Sequence, residues 1–318
     1  MGAVIQKSPI NTKPAVTKAS AKRVGGFPSI FYQAFAVYGL VDYLDNGNVV
    51  ARLYNASAST SERNFTAAEL TDGSTYTTWL DGASTASTRV ATLYDQLGDS
   101  NLDLSHPSAS SRPLYLSSDN TLQFDQSGYF QYTNLFTLSG ESGDRVSAAF
   151  GGNSTLNDTT LVLGARKRDS SLYGLPASGR TLFAIRDGFT PSYGYNAQHK
   201  ALTIKASTYS DDPGITVRDS DSNFVTAFHD VFDHSALKTY IGEVQRQPVP
   251  GVTSTDMNLF VNTTQEVDTN TTDLSNDISL ATLLLGDNRF VMKGAMVFNK
   301  ILTPDEKSEL HNRMAEDY

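Results

Sequence analysis

The stretch "RVATLYDQLGDSNLDLSH", Arg89 to His106, decides how the chain is read. It opens with the alternation of apolar and polar residues that a half-buried strand requires. It then crowds Asp95, Gln96, Gly98, Asp99, Asn101 and Asp103 into one loop. Such a loop either gathers hard oxygen ligands for a cation or turns the chain through side chains bonded to backbone. Counted from Asp99, the Gly at position six and the Glu at position twelve of a calcium hand are both missing. The turn reading is therefore preferred. Asp95, Asp99, Asn101 and Asp103 stand as the calcium candidates, and no other metal or cofactor is expected.

Further strand candidates flank this stretch on both sides. "VYGLVDYL" and "NVVARLYN" bracket "DNGN", where Asn46-Gly47 predicts a tight hairpin turn. Downstream, "TLQFD", "GYFQYT", "RVSAAFGG", "TLVLGARK", "TLFAIRD", "ALTIKAST", "GITVRD", "KTYIGEVQ", "MNLFVNTT", "SLATLLLG" and "VMKGAMVFNK" are rich in β-branched and aromatic residues. Ser, Asn, Asp and Gly separate them, and helical windows are few, which predicts an all-β antiparallel two-sheet sandwich rather than an α/β fold. Two helices are expected. One begins at Thr66 in "TAAELTDG". The other lies in "TPDEKSELHNRMAEDY", where Thr303 and Glu306 form a capping box and Leu310, Arg313 and Met314 share a face laid on the sandwich rim.

The 318 residues are 39% apolar and 10% aromatic, enough for a buried core. Cysteine is absent, which excludes disulfides, thiolate metal sites and thiol nucleophiles and fits synthesis in a reducing compartment. No window approaches the ~18 consecutive apolar residues of a membrane helix. The N-terminus also lacks a secretory apolar block, so cytoplasmic synthesis without export is the expectation. Gly2 is followed by Gln6 where a myristoylation signal has Ser or Thr.

Net charge is -9, yet Lys7, Lys13, Lys18, Lys22 and Arg23 occur in the first 23 residues without an acid. That leaves about -14 on the rest of the chain. Residues 1–26, rich in Pro, Ser, Thr, Ala and Lys, read as an extended basic arm, with Gly25 and Gly26 as a hinge into a single domain over 27–318. An arm with no interleaved aromatics on an acidic body does not suit nucleic acid.

The order of segments then carries a resemblance. Tyr94-Asp95-Gln96-Leu97-Gly98 after a strand, Arg112-Pro113 before one, Phe124-Asp125 ending another, and "GAMVFNKILTPDEKSEL" near the end resemble landmarks of the concanavalin A-like (laminin-G-like) jelly-roll superfamily. The similarity is to the branch shared by arabinofuranosidase-B-type domains and viral structural proteins. It implies a jelly-roll sandwich with an extended N-terminal arm and a short C-terminal helix, and it implies no activity, because this fold carries lectins, hydrolases and inert modules alike.

Three function classes follow. A glycosidase needs two facing carboxylates, for which Glu141 with Asp144 or Asp95 with Asp99 are the candidates; no nucleophile elbow and no Glu-x-Asp-x-x-Glu strand occurs. A metal- or glycan-binding module would draw on the calcium candidates, on His229, Asp230, Asp233 and His234, or on exposed tyrosines, with the single Trp79 expected in the core. The third class, preferred here, is a non-enzymatic structural protein. A basic arm ahead of a jelly roll suits a viral capsid or virion-surface subunit that docks on neighbouring capsid proteins, with glycans as further possible partners and no membrane insertion. Asn55, Asn64, Asn153, Asn157, Asn262 and Asn270 begin Asn-x-Ser/Thr triplets, about two more than chance supplies in so Ser/Thr-rich a chain.

Overall fold

The computed structural model describes residues 23–24, 27–105, 109, 112–124, 135–138, 158–167, 180–186, 201–206, 213–218, 224–228, 236–249, 252–271, 282–286 and 290–316. Strand registers among these residues define two antiparallel sheets. In the first, β20 (Phe290–Phe298) pairs along its length with β11 (Thr159–Lys167). Its other side is shared end to end by β3 (Ala36–Gly39) and β9 (Thr121–Phe124). Beyond β11 follow β16 (Lys238–Val249), β17 (Val252–Val261) and β18 (Thr264–Thr271).

The second sheet centres on β6 (Arg89–Leu93), with β4 (Val49–Tyr54) and then β5 (Glu62–Thr66) on one side and β7 (Leu104–Ser105) on the other. It continues through β10 (Leu135–Leu138), β19 (Thr282–Gly286), β12 (Arg180–Arg186), β13 (Ala201–Ala206), β14 (Pro213–Arg218) and β15 (Phe224–Phe228). The hairpin of β8 (Leu114–Leu116) and β9 touches β6 with one strand and β20 with the other, and so joins the sheets.

Strand periodicity explains the layering, because successive side chains point to opposite faces. Leu161, Leu163, Ala295 and Val297 face the core between the sheets, with Tyr38, Leu53, Val90, Phe183, Ile204 and Leu285. Val162, Met296 and Phe298, in between, face outward and meet a second apolar layer built from Ile30, Phe31, Tyr43, Ile241, Leu310 and Met314. Both faces of the first sheet are thus covered at its middle, and all nine residues of β20 are buried. Its sequence accordingly reads as a near-continuous apolar run without alternation, broken only by the buried Lys293 and by Gly294. The Tyr43 ring lies flat against Phe31 and crosses β20 where Gly294 offers no side chain; a Cβ there would meet the ring at 2.8 Å.

The C-terminal helix, Pro304–Glu316, starts as its sequence predicts: the Thr303 N–H donates to Glu306 Oε2 at 2.8 Å and the Glu306 N–H to Thr303 Oγ1 at 3.3 Å. It does not lie on the rim. Leu310 and Met314 pack it over the outer face of the first sheet. The helix Ala67–Asp72 carries a full capping box between Thr66 and Glu69 and ends at Gly73 with φ 72°, the left-handed turn that glycine takes freely. Thr66→Ala is expected to lower stability by about 1 kcal/mol in a urea titration, as loss of a cap does.

The hairpin expectation is corrected. Val37–Tyr54 is not a hairpin: β3 bonds to β20, whereas β4 bonds to β5 and β6. Instead of a two-residue turn, the segment between them wraps around the Asp42 carboxylate, which accepts from the N–H groups of Leu44, Asn46 and Gly47. Of the predicted Asn46-Gly47 pair, Gly47 takes positive φ, at 68°, and Asn46 does not; Asp45 does, at 49°. At the predicted hinge, Arg23–Val24 (β1) pairs antiparallel with Phe27–Pro28 (β2), so the residues flanking positions 25 and 26 are joined. Residues 1–22, and with them Lys7, Lys13, Lys18 and Lys22, lie outside the described residues, as does the Arg23 side chain.

Candidate functional site

The loop after β6 is where the suspected carboxylates gather, and its geometry is that of a knot between distant segments. Asp95 is 1% exposed. Its Oδ1 accepts from the Val37 N–H of β3 at 3.0 Å and from the Leu97 N–H at 3.3 Å, while Oδ2 accepts from the Asp99 N–H at 3.1 Å. The Asp95 N–H in turn donates to Asp103 Oδ1 at 2.9 Å. Gln96 does the same with an amide: Oε1 accepts from the Tyr43 N–H at 3.0 Å, and Nε2 donates to the carbonyls of Gly39 and Val41 at 3.2 and 2.7 Å. The Gln96 N–H bonds the Val37 carbonyl, and the Gln96 carbonyl accepts from the Asn46 and Asn48 amides.

Beneath the knot the Tyr38 hydroxyl donates to the Leu102 carbonyl at 2.7 Å. Burial, reinforced by the nearby Asp95 and Asp103 carboxylates, pushes this phenol well above its ordinary pKa, so it stays a neutral donor. The expectation was a loop bonded to its own nearby backbone. The observed partners are mostly some 50 to 60 positions away in sequence, so the loop fixes one sheet to the other rather than only reversing the chain.

A carboxylate with both oxygens engaged by backbone N–H groups, and buried from solvent, is not presented to a substrate. Asp95 with Asp99 therefore does not form the open pair that glycoside hydrolysis uses. Among the described residues no group of three or more His, Cys, Asp or Glu is placed to share a metal ion. Asp95 and Asp103 are brought together, Asp99 contributes its backbone, and the Asn101 side chain lies outside the described residues. So do Glu141, Asp144, His229, Asp230, Asp233 and His234.

Trp79 is a core residue, 2% exposed, with its indole N–H on the Thr60 carbonyl at 2.8 Å and its ring edge-on to Phe65. Of the Asn-x-Ser/Thr residues, Asn55 is 1% exposed and its amide donates to Ser84, Ser87 and Thr88, which closes it to modification. Asn262 sits at φ 58° in the β17–β18 turn and Asn64 accepts from the Tyr94 hydroxyl.

A buried ion pair went unrecognised in the sequence. Glu243 of β16, 1% exposed, meets Lys307 of the C-terminal helix at 2.9 Å and accepts from the Leu302 N–H at 3.0 Å. The Lys307 ammonium also lies 4.0 Å from the centre of the Phe260 ring. The available signal was slight: Glu243 follows Ile241 on the outward side of β16, opposite the core-facing Tyr240 and Val244, where a solvated charge is the ordinary assumption.

Fold and site together define an all-β antiparallel sandwich with a short C-terminal helix and a buried polar knot. No family model and no curated protein matches the sequence. Solved structures do. A GH54 α-L-arabinofuranosidase soaked with a cyclic sulfate inhibitor is similar over 89% of this chain and 63% of its own, with a TM-score of 0.57 and 11% sequence identity. The receptor binding domain of botulinum neurotoxin D is similar over 61% of this chain and 43% of its own, with a TM-score of 0.42 and 10% identity. The chain thus spans less than two thirds of these proteins' length, and at such identities the likeness to the first is one of β-sandwich fold.

Proposed function

We propose that this chain is a non-catalytic structural module of a larger assembly, held to neighbouring copies or partner subunits through its basic N-terminal arm. The observation that carries this reading is the charge division: five basic residues and no acid in the first 23 positions, followed by an acidic body. An arm of that charge is attracted to the acidic body of a neighbour, while the same acidic body opposes the approach of nucleic-acid phosphates. The engagement of Asp95 and Gln96 in the fold supports the same reading, since the loop with the densest acidic side chains is spent on backbone bonds. In its most specific form the reading is a capsid or virion-surface subunit, made in the cytoplasm and incorporated into the particle.

Deletion of residues 1–23 tests it. The shortened protein is expected to keep its far-UV circular dichroism and thermal transition while losing co-sedimentation with the particle. Normal incorporation of the shortened chain sinks the proposal, as does hydrolysis by the intact chain of any member of an arabinoside and glucan panel.

A further inference from the structure

The outer face of β4–β5–β6 holds a cluster that neither the knot nor the arm uses. The registers Tyr54↔Glu62, Arg52↔Asn64 and Tyr54↔Arg89 place these five side chains on one face, opposite the core-facing Leu53 and Val90. Arg112 joins them from the segment before β8. Glu62 bridges two guanidiniums, Arg112 at 2.9 Å through Oε1 and Arg52 at 3.4 Å through Oε2. The Arg112 guanidinium lies 5.1 Å from the centre of the Tyr54 ring, and the Arg112 carbonyl accepts from Arg89 at 2.6 Å.

Each group is held by a neighbour before any ligand arrives. Arg52 Nη2 donates to Thr92 Oγ1 at 2.9 Å, and its side chain remains 41% exposed. The Tyr94 hydroxyl occupies Asn64 Oδ1 at 2.9 Å, which fixes the amide and leaves Nδ2 as a donor without a protein partner among the described residues. Little side-chain entropy is left to lose on binding, which is what preorganisation contributes to affinity. Three guanidiniums, two of them paired to Glu62, share this face on a chain whose net charge is -9. The face is thus locally cationic on an acidic protein. It combines fixed planar donors, a carboxylate able to accept from hydroxyls, and a tyrosine ring.

We infer that the β4–β5–β6 face is a binding site for a carboxylated sugar of the uronate or sialate class. Arg52 and the Asn64 amide donate to the sugar carboxylate, Glu62 accepts from ring hydroxyls, and Tyr54 packs against the ring. Charge complementarity selects the anionic sugar over its neutral counterpart, and the hydroxyl acceptor and aromatic ring select a sugar over a simple polyanion.

Calorimetric titration of the full chain with trigalacturonate and 3′-sialyllactose tests the inference, with maltotriose, lactose and polyglutamate as comparisons. One or both acidic sugars are expected to bind at least tenfold more tightly than their neutral counterparts and than polyglutamate. Asn64→Asp, nearly isosteric and of opposite effect on the local charge, is expected to abolish that binding. Arg52→Met is expected to weaken it at least tenfold with an unchanged thermal transition. No heat from either acidic sugar at millimolar concentration overturns the inference; so does equal binding of the neutral sugars or of polyglutamate, or unaltered affinity in a folded Arg52→Met protein.

Discussion

Asp95→Ala is expected to destabilise the protein by about 3 to 5 kcal/mol, read as a fall in the urea midpoint at unchanged slope. The magnitude follows from what the carboxylate holds. Three backbone N–H groups, those of Val37, Leu97 and Asp99, lose their acceptor at once, and the site is closed to replacement water at 1% exposure. Hydrogen bonds to an ionised acceptor are worth about 1.5 to 3 kcal/mol each, and orphaned buried donors add their own desolvation cost. Asp95→Asn keeps the shape but turns an NH2 group toward one of those donors, so it recovers only part of the loss. A calcium site would respond differently. Bound calcium that vanishes in Asp95→Ala, or a wild-type thermal transition raised by added calcium, would replace this account with a metal-held loop.

The second large effect is expected at Glu243. Truncation to alanine leaves the Lys307 ammonium buried at 7% exposure without its counter-ion, a change that costs about 3 to 5 kcal/mol. It also removes the acceptor of the Leu302 N–H at the entry to the C-terminal helix. The paired change Glu243→Leu with Lys307→Met removes both charges together and is expected to be near neutral, because the desolvation of two ions is relieved with the loss of their attraction. A double variant as unstable as Glu243→Ala would show that apolar groups do not fit this layer. Burial pushes the Glu243 carboxyl above its ordinary value, more than Lys307, the Leu302 N–H and Thr160 pull it down. The folded state therefore binds this proton more tightly than the unfolded chain. The group's contribution is full below the ordinary carboxylate range and is lost as pH rises through its raised value.

How much of this was legible in the sequence depended on whether a residue's environment was written in its neighbours. β6, β11, β12, β13, β14 and β20 were legible because buried strands concentrate β-branched and aromatic residues between turn formers. β5 was not: "ERNFT" places Glu62 and Asn64 on a polar outer face and leaves Phe65 as its one apolar core residue. β18 fails likewise, since in "TQEVDTNT" Val267 is the one buried side chain among the described residues. The helix Ser74–Leu80 follows its predecessor across a single glycine, so "STYTTWL" reads as strand by propensity, and its helical state is set by Tyr76 and Trp79 packing around Phe65. Tertiary context overrides local preference at such places. The capping box at Thr303 was legible because both partners lie within one turn, whereas at Thr66 only the helix start was read and the box with Glu69 emerged from the structure. The role of Asp95 was half legible: an Asx-rich loop announces side-chain bonds to backbone, but nothing in it names Val37, which only the pairing of β3 with β20 brings within reach.

The placement of β20 has a consequence for how the protein comes into being. Val37 pairs with Met296 across about 260 intervening positions, and the same strand also receives β9 and β11. The first sheet therefore has no centre until nearly the whole described chain has emerged from the ribosome. Until then β3, β9 and β11 present bare hydrogen-bonding edges and unshielded apolar side chains, the condition in which nascent chains pair wrongly with one another. Synthesis of such a protein is a race between completing its penultimate element and losing its early strands to aggregation, and its yield in a cell is set by that race as much as by the stability of the finished sandwich.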